Sequence, residues 1–183
     1  MGSEQYLKEA LKNLKIWADE KGYKLAYDKN SVLPLKYHPE LDTSPLLPPD
    51  EANFYMCLVG ISRWLVELGR VDICNEQSMM SSYMAAPRQG HMFIGMFHMF
   101  GYLNSHRWSH IVFDDSYIPY SPSDYIQFDW TEFYGDVQEP IPSNAPEPRG
   151  KAVQLTMFVD ADHAGNLLTR RSRSGILIFL NKA

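Results

Sequence analysis

Apolar residues recur every three or four positions through the first half of the chain, and alternate singly near its carboxyl end. Tyr6, Leu7, Ala10, Leu11, Leu14, Trp17 and Ala18 keep helical spacing. Lys8, Glu9, Lys12, Asn13, Lys15 and Asp19 fall on the opposite, wet face. Ser3 suits the N-cap, Glu4 the first turn, and Gly22 the stop. An amphipathic scaffold helix is therefore expected within residues 1–22. Over 23–49 the pattern dissolves. Pro34, Pro39, Pro45, Pro48 and Pro49 forbid a continuous helix and favour extended backbone. Leu33, Leu35, Tyr37, Leu41, Leu46 and Leu47 give this segment apolar surface to bury. It reads as a loop laid across neighbouring helices, with a disordered linker as the alternative.

Residues 50–113 return to helical spacing. Asp50 is expected to cap a helix carrying Glu51, Phe54, Tyr55, Leu58, Ile61, Trp64, Leu65 and Leu68, closed by Gly69. Asp72 restarts a helix through Ile73, Cys74, Gln77, Met80 and Met84 to Pro87. Gly90 and His91 precede a third run: Ile94, Phe97, Met99, Phe100, Tyr102 and Leu103. Short connections predict packed neighbours. Met79, Met80, Met84, Met92, Met96 and Met99 read as adaptable core filler. Ile111–Phe113 is a short strand candidate. Residues 114–152 are aromatic, acidic and broken by Pro119, Pro122, Pro140, Pro142, Pro146 and Pro148, as expected of a linker. Within it, 129–134 can form one local turn or pack on a neighbour. Its rings could stack nucleic-acid bases, but no basic residues flank them, which favours packing or a loose linker.

From 153 to 183 the period changes to two. Val153, Leu155, Met157 and Val159 alternate with Gln154, Thr156 and Phe158, and Asp160 and Asp162 stand at the strand's end. A polar connection leads to a second apolar run, Ile176 to Leu180. Two such runs predict a β-hairpin. The fold class is thus α+β: a small helical bundle, a Pro-rich linker and a hairpin. A lone hairpin is marginal in water. The unpaired edge after Ile176 invites self-association.

The chain has 183 residues and a net charge of −5, so its charge does not advertise nucleic-acid binding. It contains no run long enough to span a bilayer and no basic-then-apolar leader, so no membrane partner is expected. Cys57 and Cys74 lack metal-ligand spacing and read as reduced core residues of an intracellular protein, cytoplasmic or nuclear, not secreted, with a disulfide between them as the alternative. The five histidines outside the Asp160 stretch are scattered, and none forms a ligand pair.

Asp160, Ala161, Asp162, Ala164 and Gly165, followed by Thr169, Arg170, Arg171, Ser172, Ser174 and Gly175, form a joint motif. It resembles the start of the ribonuclease H domain in Ty1/copia-type retrotransposon polyproteins. His163 departs from it, since Trp is common there in the family. Further upstream, Glu51-Ala52-Asn53-Phe54-Tyr55, Leu58-Val59-Gly60-Ile61, Arg63-Trp64 and Val66-Glu67-Leu68-Gly69-Arg70 follow the family's order. So do Asp72-Ile73, Met84-Ala85, Pro87-Arg88, Gly90-His91 and Tyr102-Leu103. The opening, Ser3 to Asn13, resembles the helix after the polymerase's Tyr-x-Asp-Asp turn. The resemblance implies that 1–113 correspond to the end of the palm and a thumb/connection-like region. It implies that 153–183 are the first hairpin of a ribonuclease H-like domain, truncated before its remaining elements.

The implied chemistry is phosphoryl transfer by a pair of Mg2+ or Mn2+ ions on an RNA–DNA hybrid or template–primer. By resemblance Asp160 is the first metal ligand of ribonuclease H, and Asp162 a turn former or a residue behind the metal. Arg170, Arg171 and Arg173 suit a phosphate backbone, or a solvated turn pairing with local acids. No Tyr-x-Asp-Asp occurs, and the later ribonuclease H carboxylates are missing from these residues. The expectation is a polyprotein fragment that is inactive alone and holds no metal stably. The alternative is a domesticated, non-catalytic module binding protein or nucleic acid. Asp160-Ala161-Asp162 alone would also suit a phosphatase-like nucleophile pair. That chemistry prefers Thr or Val two residues beyond the second Asp, where Ala164 stands.

Overall fold

The computed structural model describes residues 3–182 except Tyr120, Pro122, Asp124, Tyr125, Gln127, Gln138 and Glu139. The expected linker proline Pro122 therefore lies outside the described residues. The chain divides into two compact units: Met1–Val112 with Val159–Ile176, and Phe113–Phe158 with Leu177–Ala183. The described elements are α1 (Glu4–Lys21), α2 (Pro49–Glu67), α3 (Cys74–Ser81), α4 (Phe97–Ser105), α5 (Thr131–Tyr134), β1 (Leu155–Asp162) and β2 (Arg173–Leu180). The fold is α+β, with an antiparallel two-stranded hairpin as its described sheet.

α1 follows its pattern. Leu7, Ala10, Leu11, Leu14 and Ala18 are buried, and the charged positions named above are exposed. Gly22 takes φ +74, and Tyr23 N–H returns to the Ala18 carbonyl at 2.8 Å, closing the helix end. The amino end differs from expectation. The Ser3 side chain makes no cap; its carbonyl accepts Leu7 N–H at 2.9 Å.

α2 starts at Pro49, one residue before the expected cap, because proline's fixed φ suits a first helical position. Asp50 lies inside the helix and pairs with Lys21 at the end of α1. Beyond α2, Gly69 at φ +102 turns the chain. Arg70, 1% exposed, then grips Asp72 through Nε (2.9 Å) and Nη2 (2.7 Å), and the Tyr102 hydroxyl donates to the same carboxylate at 3.1 Å. Burial opposes the charge on Asp72, but Arg70 outweighs it and holds the carboxyl below its ordinary value.

α3 is shorter than its apolar spacing suggests. The Ser81 and Ser82 hydroxyls both donate to the Ser78 carbonyl, competing with the helix ladder where it stops. Met84 is left outside the helix and exposed, whereas Met80, Met92, Met96 and Met99 are fully buried. α4 is preceded without a break by a wider π-helical turn, His91–Met96.

The helical core joins Leu7, Leu11 and Leu14 of α1, Tyr55, Leu58 and Leu65 of α2, and Met96, Phe100 and Leu103 of the last helical run. The Tyr55 hydroxyl, buried, donates to the Met80 carbonyl at 2.7 Å and pins α2 to α3. Trp17 and Phe54 stack with centroids 3.9 Å apart.

Three expectations need correction. Cys57 and Cys74 are free and exposed, so they are not core residues. Ile111–Phe113 forms no strand, having no strand partner among the described residues; Ile111 packs over Gly69 instead. Leu35, Leu41 and Leu46 remain exposed, while Leu47, Leu33 and Tyr37 meet the core.

Two helical glycines yield opposed predictions. A Cβ at Gly101 would overlap the Ala26 carbonyl, where the 23–49 loop crosses α4, whereas a Cβ at Gly60 meets nothing within 4 Å. Gly60→Ala should therefore stabilise the chain by about 0.5–1 kcal/mol, the usual gain for alanine inside a helix. Gly101→Ala should destabilise it despite that same gain. Urea denaturation of both variants checks the pair, and stabilisation of Gly101→Ala would contradict the close backbone approach.

Candidate functional site

The motif stretch folds as a hairpin longer than its apolar runs suggest. β1 continues through Asp162 because Arg173 to Gly175 pair alongside it, so Asp160 lies inside the strand and Asp162 is its last residue. Gln154 and Asn181 exchange bonds at the base: Asn181 N–H donates to the Gln154 carbonyl, and Gln154 N–H to Asn181 Oδ1, both at 2.8 Å. Asp160 and Asp162, two residues apart on one strand, point to the same face. That face also carries Phe158, which meets Phe179 edge-on at 5.8 Å.

Asp162 acts on the turn. Its carboxylate lies over Gly165, so a Cβ there would displace that exposed side chain and no backbone atom. Asn166 organises the connection. Its Oδ1 accepts Leu168 N–H (3.2 Å) and Thr169 N–H (2.8 Å), and its carbonyl accepts Arg170 N–H at 2.8 Å. The Ser172 hydroxyl accepts Ala164 N–H at 3.0 Å. Arg170 sits at φ +55, an unusual conformation for a side-chain-bearing residue. Arg170 and Arg171 are exposed and Arg173 is half-buried. Among the described residues none of the three pairs with a carboxylate, so the expected local ion pairs are not seen.

The tip of the hairpin is held by a residue that the sequence did not single out. Glu40 Oε1 accepts Leu167 N–H at 3.1 Å and His38 Nδ1–H at 3.0 Å. Burial works against its charge, but these donors hold its carboxyl below the ordinary value. Glu40 lies in the same loop as a polar cluster built on Asp42, Ser44 and His91. His91 Nε2 donates to the Pro39 carbonyl at 2.9 Å, and its Nδ1 accepts Arg88 N–H at 3.1 Å. Asp42 Oδ1 accepts Ser44 N–H at 2.8 Å. Asp42 Oδ2 is buried, without a hydrogen bond among the described residues, 3.7 Å from His91 Nε2. Ser44 Oγ accepts Gly90 N–H at 2.8 Å, and the Tyr37 hydroxyl donates to the Gly90 carbonyl at 3.1 Å. Only the Asp42-Thr43-Ser44-Pro45 turn signature hinted at this cluster.

An Asp beside a His suggests acid–base chemistry, but the bonding argues otherwise. Both ring nitrogens of His91 are committed to backbone groups, so the ring has no lone pair for a substrate proton. It is a buried, neutral strut. The hairpin offers a different picture: two exposed carboxylates on one strand and three guanidinium groups on the connection and the start of β2. Among the described residues no group of three or more His, Cys, Asp or Glu side chains is placed to hold a metal ion. Asp160 and Asp162 alone do not make the donor set of a paired-metal centre. No helix is long and apolar enough to cross a membrane among the described residues. No family model, curated protein or solved structure matches the chain.

Burial depresses the affinity of His91 for a proton below its ordinary 6.5, the Pro39 and Asp42 oxygens opposing. As pH falls through 6.5 the unfolded chain takes up this proton before the folded one does, so folding stability declines. His98, also depressed by burial, adds in the same direction. Denaturation midpoints should be flat above about pH 7.5, one unit over the ordinary histidine value, and fall as the pH drops below about 6.5. His91→Gln should flatten that fall and keep the His98 share. An identical slope in His91→Gln would show that the ring is not held neutral.

Proposed function

We propose that this chain is a segment of a Ty1/copia-type retrotransposon polyprotein, running from the end of the reverse transcriptase palm through a thumb/connection-like region into the first hairpin of ribonuclease H. One observation carries the reading. The stretch with the most specific resemblance, Asp160 to Gly175, folds as a hairpin with both acids in one strand and the arginines around its connection. The helical segments that carry the rest of the resemblance pack as one core.

In this reading the chain acts as scaffold and backbone contact. Arg170 and Arg171, exposed and without an acidic partner among the described residues, meet phosphates of an RNA–DNA hybrid or template–primer. Asp160 contributes a single carboxylate toward a Mg2+ or Mn2+ site whose other ligands come from elsewhere in the polyprotein. The isolated chain does not cut. Self-association belongs to the same reading. Leu155, Met157, Val159, Ile176, Ile178 and Leu180 share one face of the hairpin and are 53–64% exposed, and the edge beyond Ile176 is unpaired among the described residues. The second reading, a domesticated binding module without catalysis, is favoured by the exposed acidic and aromatic segment of the second unit.

Two measurements test the proposal. Reading the source DNA outward in frame should find a Tyr-x-Asp-Asp upstream and further acidic motifs downstream; their absence on both sides would overturn the family reading. The purified chain, given an RNA–DNA hybrid with Mg2+ or Mn2+, should leave it intact. Strong cleavage abolished by Asp160→Asn would overturn the inactivity.

A further inference from the structure

We propose that Trp130, Tyr134 and Val137 form a cradle for a basic peptide, which lays an arginine or lysine side chain against the Trp130 ring. The three residues line an open concavity of about 540 Å³ in the second unit. Its shape is set locally. Asp129 Oδ1 accepts the Thr131 N–H (2.9 Å) and hydroxyl (2.6 Å), which starts the short turn α5. Phe133 and Tyr134 N–H both return to the Trp130 carbonyl at 3.0 Å. Trp130, Phe133 and Tyr134 are thereby brought onto one side, at helical spacing. Ring centroids lie 6.2 Å from Trp130 to Phe133 and 6.1 Å to Tyr134, and Phe128 stacks on Trp130 at 5.5 Å.

These rings are expected to form a local turn, to pack on a neighbour or to lie in a loose linker. They form the turn and stay open: Trp130 is 56% exposed, Tyr134 67% and Phe133 72%. Aromatic faces left in water attract two classes of partner, flat bases and cations. Charge chooses between them. Between positions 114 and 150 stand eight carboxylate side chains and one arginine, Arg149. A segment so negative repels a phosphate backbone and draws in cations. The aromatic faces supply a cation–π contact within that acidic stretch of sequence, and a run of basic residues lets one side chain settle on Trp130 while its neighbours meet acids such as Asp129, Glu132 and Asp136. The occupant is a lysine- or arginine-rich peptide. The inference rests on the second unit alone and stands or falls apart from the family reading.

Nuclear magnetic resonance of the full chain tests it. The Trp130 indole N–H signal is assigned by its loss in Trp130→Phe, a variant that keeps a ring. Titration with hexa-arginine should shift that signal saturably. Trp130→Ala, its binding read from the Thr131–Gly135 backbone amide signals, should bind roughly twofold to fivefold more weakly, as loss of an exposed cation–π contact implies, and added salt should weaken binding in both proteins. Oligothymidylate should leave the signal in place. Three results would overturn the proposal: no shift with hexa-arginine, equal affinity in Trp130→Ala, or a shift produced by oligothymidylate in place of the peptide.

Discussion

The imidazole of His91 makes both of its hydrogen bonds to backbone, one to the Pro39 carbonyl and one from the Arg88 amide. That bridging constraint holds together the two least regular stretches of the first unit. Each stretch satisfies only part of its backbone through local turns, since prolines remove donors and forbid a ladder. They satisfy each other. Leu47 N–H donates to the Pro87 carbonyl and Gln89 N–H to the Pro45 carbonyl, both at 3.0 Å, on either side of the bridge between Leu46 and Arg88. The Arg88 guanidinium donates to the Ser44 carbonyl at 2.5 Å. Each contact between the two stretches joins positions far apart in sequence, as Pro39 is from His91 and Ser44 from Gly90, so none has a local signature.

From this lock the structure extends in two directions. Inward, His91 begins the wide helical turn that delivers Met92 and Met96 to the core. Outward, the same loop presents Glu40 to the Leu167 amide, and so holds the connection between the hairpin strands. A neutral His91 thus has a structural consequence. If its ring took a second proton, Nδ1–H would face the Arg88 N–H, donor against donor, and the loop that carries Glu40 would lose its anchor.

How much of this was legible depended on the range of the interaction. The seven apolar positions of α1, its wet face and the Gly22 stop are local, and α1 runs from Glu4 to Lys21 as they require. The change of period from helical to alternating announced the hairpin, because side-chain direction in a strand is also local. The ends failed where a competing partner lay far away or on the wrong atom. Asp50 was expected to cap α2, yet Lys21 takes it and Pro49 starts the helix. α3 was expected to run to Pro87, yet serine hydroxyls end it. Cys57 and Cys74 have helical spacing with apolar neighbours, but spacing does not say which side of the helix faces the core. Asp42, Glu40 and His91 leave no sequence pattern that marks them as a cluster, because most of their partners are carbonyls and amides, which every sequence has everywhere.

The same contrast separates the acids of the chain by task. Asp72, Asp42 and Glu40 are partly or largely buried, each held charged by named donors against the cost of burial. Asp162 lies over Gly165 at the turn and is exposed. The Asp160 side chain makes no hydrogen bond among the described residues and stands exposed on a strand that fixes its position. A carboxylate held in place yet left in water is suited to a ligand from outside the chain, whereas a carboxylate wrapped in amides is suited to holding the chain. That distinction, and not the number of acids nearby, is the physical reason to look for function at Asp160 and for architecture at Asp42. It also explains why the two sites can share one unit without sharing a role: Glu40 links them through a backbone amide, which transmits position but no charge.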